Sequence, residues 1–173
     1  MVMTNQQQEF VQQVYKAQGI LFRICNVYAR DVERRNDLRQ EMLLQLWRAY
    51  PSFRKDSAFT TWMYRVALNT ALMYSRKEKR EPRSLPIDDV PASEVPREEH
   101  KDDEGVRALY ECIQGLPALD RGIVLLHLEE RTSEEIADII GVTRGNVGVR
   151  LARLKERLRR ALEAKGIRKE TLQ

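Results

Sequence analysis

Residues 132–160 read TSEEIADIIGVTRGNVGVRLARLKERLRR: two short helical patterns separated by Gly141-Val142-Thr143, the second crowded with arginines. Two helices meeting across so short a break have the sequence form of a helix-turn-helix. Thr132 is placed to cap the first helix, and Glu135, three positions on, closes a capping box. Ile136, Ile139 and Ile140 supply its apolar side, and Ala137 is small where two crossing helices must approach closely. Gly141 stands where the chain must leave that helix, and Thr143 is placed to cap the next. In the second helix Val147, Leu151, Leu154 and Leu158 recur at steps of four, three and four, which makes one buried stripe. Asn146, Arg150, Arg153, Arg157 and Arg160 form a second stripe, about 100° round the helix and facing outward. A solvated amphipathic helix would share that basic stripe. The cap, the turn glycine and the apolar helix before it weigh toward DNA binding.

The chain has 173 residues, enough for one ordinary domain or two small ones. With 42% hydrophobic, 7% aromatic and 32% charged residues, it suits helical bundles better than a sheet protein. No apolar run reaches membrane-spanning length and the glutamine-rich start does not read as a signal peptide, so a cytoplasmic protein without membrane insertion is expected. The formal charge is only +4, but ten basic residues face two acidic ones between Arg144 and Lys169, a local +8. A basic C-terminal element on a nearly balanced chain points to a polyanionic partner such as DNA. Cys25, Cys112, His100 and His127 are scattered without metal-ligand spacing, and no nucleophile motif, phosphate loop or carboxylate pair is present. Neither a metal, a cofactor nor an enzyme activity is expected.

From the N-terminus, Phe10, Val14, Ala17, Leu21, Ile24 and Tyr28 predict one core helix over about residues 6–28. The next pattern, NDLRQEMLLQLWRAY, stops at Pro51; Leu38, Met42, Leu46 and Ala49 face inward. Asp37, Gln40, Glu41, Leu44 and Arg48 share its other side. Acids mixed with a leucine on an exposed face suit docking against another protein. A polar loop from Phe53 to Ser57 then feeds a helix on which Trp62, Val66, Asn69 and Met73 are spaced, with Ser57 or Thr60 available as its cap. Phe53, Phe59, Trp62, Tyr64 and Tyr74 are interleaved here with Arg54, Lys55, Arg65 and the run Arg76 to Arg80. Rings that stack on bases beside cations that hold phosphates fit single-stranded nucleic acid, although Phe53 and Trp62 also fit a core. Residues 81–103 hold four of the six prolines and many acids, and read as an acidic linker between domains 1–80 and 104–173. Beyond it come a helix near residues 104–114 ended by Gly115, a second opened by Pro117, and the helix-turn-helix.

In this order the residues resemble the extracytoplasmic-function sigma factors, the smallest sigma-70-type subunits of bacterial RNA polymerase. DLRQEMLLQLWRAYPSFRKDSAFTTWMYRVALNTA is similar to their region two, and SEEIADIIGVTRGNVGVRLARLKERL to their region four. The resemblance implies an all-α chain of two small helical domains on a flexible linker. It implies that region two binds the clamp helices of the β′ subunit of core polymerase through Asp37, Gln40, Glu41, Leu44 and Arg48. The downstream promoter element, once opened, would fall to Arg54, Lys55, Ser57, Ala58, Phe59, Thr60, Arg65 and Asn69, with a flipped base held by the loop. The upstream element would fall to Arg144, Asn146, Arg150, Arg153, Arg157 and Arg160. Of these, Arg144, Arg157 and Arg160 are assigned to phosphates, Asn146 and Arg153 to bases, and Arg150 either to bases or to bracing the helix. A cognate anti-sigma factor is a further implied partner. The chain departs from the family pattern at Ser133, where tyrosine is usual, and at Asn146, Gly148 and Val149, where threonine, a basic residue and serine are usual.

Two other readings share part of this pattern. A helix-turn-helix regulator acting without polymerase would need a sensor or dimerisation domain in place of the aromatic and basic half. An RNA-binding protein would leave the face of Asp37, Gln40 and Glu41 without a use.

Overall fold

Capping chemistry sets the helix limits in the C-terminal half. Thr132 Oγ1 accepts from the Glu135 backbone N–H while the Glu135 side chain accepts from the Thr132 N–H, so the capping box is closed in both directions. Gly141 adopts φ of 81°, the left-handed conformation in which a side chain would be strained. Thr143 Oγ1 accepts from the Asn146 N–H and starts the next helix.

The computed structural model describes residues 4–80 and 104–167, and all regular structure among them is helical. The elements are α1 (Asn5–Lys16), α2 (Gln18–Tyr28), α3 (Val32–Ala49), α4 (Phe59–Arg80), α5 (Glu104–Gln114), α6 (Ala118–Leu128), α7 (Ser133–Ile140) and α8 (Arg144–Ala164), with a 3-10 turn over Tyr50–Ser52. The acidic segment assigned as a linker lies outside the described residues. The single N-terminal helix of the sequence reading is broken: Ala17 leaves helical geometry with φ −105° and ψ 13°, so α1 and α2 are separate. The apolar stripe continues across the break because Phe10, Val14, Leu21, Ile24 and Tyr28 are all buried.

On α3, Leu38, Met42 and Leu46 are wholly inaccessible, as their spacing requires. The inward face of α4 differs from the expected one. Met63, Tyr64, Ala67, Leu68 and Ala71 form it, whereas Asn69 and Met73 are exposed and Trp62 and Val66 only half-buried. Two stripes fit 3.6-residue spacing here, and the one of Met63, Tyr64, Ala67, Leu68 and Ala71 took the side that meets other helices.

One apolar core runs through both halves, from Phe10 on α1 to Leu158 on α8. At the seam, the last carbonyls of α2 lack partners within their own helix. Gln114 Nε2 donates to Asn26 O at 2.6 Å and Arg121 NH1 to Val27 O at 3.5 Å, so α5 and α6 satisfy them. Tyr28 Oη donates to Ala118 O at 2.7 Å, and Arg121 also lies over the Tyr28 ring at 5.8 Å. Arg23 pairs with Glu129 at 2.6 Å, while Arg131 covers the ring of buried Tyr64 at 5.4 Å. Gly122 makes the close approach possible: a Cβ there would meet Tyr28 Oη at 3.0 Å and Ile140 Cδ1 at 3.2 Å.

Candidate nucleic-acid interface

The recognition candidate is α8. Val147, Leu151, Leu154 and Leu158 are buried, which turns the arginine stripe outward as the spacing predicts. The stripe is not uniform. Arg150 is the least exposed of the five, because NH1 reaches Asp120 Oδ1 on α6 at 2.7 Å while Nε donates to Asn146 Oδ1 at 2.7 Å. Arg144 is paired with Glu134 on α7. Arg160 and Arg159 both engage Glu156, and those bonds hold the Glu156 carboxyl at about 2, well below the usual carboxylate range. The side chains of Arg153 and Arg157 make no hydrogen bond or ion pair among the described residues, so their guanidinium groups are available to an outside anion.

An open groove of about 590 Å³ separates the start of α6 from α8, lined by Asp120 and by Asn146, Val149, Arg150, Arg153 and Arg157. Val149 is 55% exposed on this face. The sequence marks it as a departure from the family pattern but not as a reader, because a lone valine carries no charge or hydrogen-bonding signal. Its place between Asn146 and Arg153 on the outward stripe was nevertheless visible in the spacing.

In the other half, Asp37, Gln40, Leu44 and Arg48 are exposed along one side of α3, and Glu41, half-buried, accepts from Gln45 Nε2 at 2.7 Å. Leu44 is 42% exposed and Trp47, absent from the sequence assignment, is 40% exposed beside it. Trp47 packs one edge against Phe10 at 5.1 Å, so it is held rather than free.

The loop of Arg54, Lys55, Ser57 and Ala58 is exposed and borders a cluster of rings. Phe53, Phe59, Trp62 and Tyr50 lie within 6.4 Å of one another, centroid to centroid. These aromatics therefore support the loop, and none of the four is a free stacking platform. Lys55 has a left-handed φ of 59° and reaches back to Glu9 on α1 at 3.0 Å. The first turn of α4 is closed by the Trp62 N–H to Ala58 O, which puts Thr60 inside the helix instead of at its cap. Arg65 and Asn69, one turn apart on α4, are exposed. Tyr64 belongs to the seam and not to this surface.

The description "Sigma-70 region 2" matches residues 14–81 and "Sigma-70, region 4" matches residues 106–163. The ECF RNA polymerase sigma-E factor of Haemophilus influenzae is 30% identical over 158 residues, 82% of each chain. The chain belongs to the extracytoplasmic-function sigma factors of the sigma-70 family. This sigma factor is also 30% identical to the RNA polymerase sigma-H factor of Pseudomonas aeruginosa over 164 residues, 86% of this chain and 81% of that one. It is 35% identical to the Escherichia coli K12 sigma-E factor over 132 residues, 69% of each. Its fold is similar to that of the sigma factor RpoE crystallised with the anti-sigma factor NepR from Bartonella quintana, with a TM-score of 0.66 at 20% identity over 90% of this chain and 98% of that one. A second solved fold, CnrH with the cytosolic domain of CnrY, gives a TM-score of 0.63 at 20% identity over 91% and 90%. As a sigma factor it works with RNA polymerase in promoter-directed transcription initiation. Among the described residues no helix is long and apolar enough to cross a membrane.

Proposed function

We propose that three exposed surfaces divide the work of this sigma factor. The α3 face of Asp37, Gln40, Glu41, Leu44 and Arg48, extended by Trp47, docks on the β′ clamp helices of core polymerase. Its chemistry supports this: an apolar pair amid charges, with Trp47 already immobilised, loses little entropy on docking. The loop from Arg54 to Thr60, with Arg65 and Asn69, takes the opened downstream element. The ring cluster stiffens that loop, so a flipped base meets a surface that needs little reordering.

The α8 face takes the upstream element, and the observation that carries this is the pair of guanidiniums without a partner among the described residues, Arg153 and Arg157, beside an open groove. Arg157 serves a phosphate and Arg153 a base edge. Arg144 and Arg160 reach phosphates by exchanging a carboxylate for a phosphate oxygen. Arg150 braces the helix. None of these roles asks for a catalytic group, and all of them place the protein in the cytoplasm. The similar fold crystallised with the anti-sigma factor NepR supports a cognate anti-sigma partner here.

Run-off transcription with core polymerase and a cognate promoter tests the assignment. Glu41→Arg with Gln40→Ala is expected to weaken core binding while leaving the helices intact. Replacing Ser57 to Thr60 with alanine and glycine is expected to block opening but not core binding. Wild-type behaviour from either variant would remove the corresponding surface.

A further inference from the structure

We propose that Asp120, on α6 and outside the recognition helix, is a positioning residue for base readout: by fixing Arg150 it holds Asn146 as a hydrogen-bond donor toward the DNA. This rests on the reading of α8 as the helix that meets the upstream element.

The chain of contacts runs from the first turn of α6 to the second residue pair of α8. Asp120 Oδ1 accepts from Arg150 NH1 at 2.7 Å, and Asn146 Oδ1 accepts from Arg150 Nε at 2.7 Å. The Asp120 side chain is only 15% exposed and that of Arg150 38%, so the pair is shielded more than any other ion pair on this face. Shielding matters because a carboxylate and a guanidinium in water attract weakly, whereas a partly buried, hydrogen-bonded pair holds a fixed geometry. Arg150 thereby loses the outward freedom it would need to present its fork to guanine.

For Asn146 the consequence is chemical. An asparagine that reads adenine bidentately uses its carbonyl to accept and its amide to donate at once. Arg150 takes one lone pair of Oδ1 and fixes the direction of the amide, so the group whose hydrogen-bonding capacity stays whole for the major groove is Nδ2–H₂, a donor. Donors select base edges rich in acceptors, which are N7 and O6 of guanine or O4 of thymine. An acid on a neighbouring helix thus sets which half of the amide is offered, although it touches no DNA. Asp120 also keeps a negative charge beside a basic surface, which lowers affinity for phosphate in general and favours discrimination over strength.

The measurement is a selection from randomised upstream elements, using full-length protein with core polymerase, together with the salt dependence of DNA binding. Asp120→Ala is expected to lower the preference at the position read by Asn146 by about tenfold. Affinity for unrelated DNA should rise at the same time and its salt slope steepen by about one unit, because Arg150 becomes free to reach a phosphate. Asp120→Asn keeps the oxygen acceptor and is expected to keep the motif. If Asp120→Ala strengthens all sequences alike and leaves the motif unchanged, the acid acts through charge alone and the proposal is wrong. Uniform weakening with a lower melting temperature would assign Asp120 to the fold and overturn it as well, as would an equal loss of the motif in Asp120→Asn. Arg153→Ala serves as the separate control. A motif unchanged in that variant too would overturn the reading of α8 itself, whereas a motif altered there but not in Asp120→Ala would sink only the positioning role.

Discussion

Val149 shows how a single side chain can carry information that charge patterns miss. It is 55% exposed in the middle of an otherwise polar face, where an apolar residue gains nothing from folding. On a DNA-facing helix its methyl groups suit the C5-methyl of thymine, the one apolar feature of the major groove. Val149→Ala is expected to lower the preference for thymine at one position of the selected upstream element without altering the salt slope, and Val149→Lys to raise that slope. Gly148 lies nearby with nothing within 4 Å of a Cβ built on it, so its missing side chain is not demanded by packing inside the protein. Both departures from the family pattern were visible as letters. Their meaning depended on seeing that both lie exposed on α8.

At the scale of the element, α7 shows how much local chemistry can decide. Eight residues are too few for a stable isolated helix, so the helix needs its cap and its packing. Thr132→Ala is expected to cost about 1 kcal/mol in urea unfolding. The Glu135 carboxyl is held below the usual carboxylate range, first by the Thr132 N–H and then by Arg131. A depressed folded value stabilises the protein above the unfolded pKa, and that contribution disappears as pH falls through the folded one. The stability difference between wild type and Glu135→Gln should therefore be present at neutral pH and close on acidification below the ordinary carboxylate range. A difference that persists unchanged into strong acid would contradict the charge-based part of the cap. The loop before α4 behaves differently. Its aromatic and basic letters suggested a stacking surface, yet Phe53, Phe59 and Trp62 found more contact with one another than water would give them.

For the whole molecule, the seam between the two halves dominates. The two domains, region two and region four, pack against each other, and α2 and α4 share one core with α6 and α7. Heating is expected to give one cooperative transition followed alike by the fluorescence of Trp47 and Trp62 and by backbone dichroism. Tyr28→Phe removes the cross-seam donor to the Ala118 carbonyl and should cost about 1 kcal/mol. Gly122→Val forces atoms into a space where even a Cβ meets Tyr28 Oη at 3.0 Å, so it should separate the halves and split the transition. A single unshifted transition in Gly122→Val would show that the seam contributes nothing to stability.

The sequence alone determined the helix-turn-helix, its caps, the buried stripe of α8 and the exposed side of α3, because each depends on residues within a turn or two of one another. Helical period, capping chemistry and the left-handed demand at Gly141 are local rules, and letters suffice to apply them. Tertiary structure decided which of two admissible stripes of α4 turned inward, where Tyr64 and Tyr28 went, and that Arg150 is bound by Asp120 thirty residues away. It also decided that Arg144 and Arg160 are paired with acids while Arg153 and Arg157 have no side-chain partner among the described residues. Those outcomes rest on which surfaces meet, and no pattern confined to one helix contains the neighbour that will compete for its side chains.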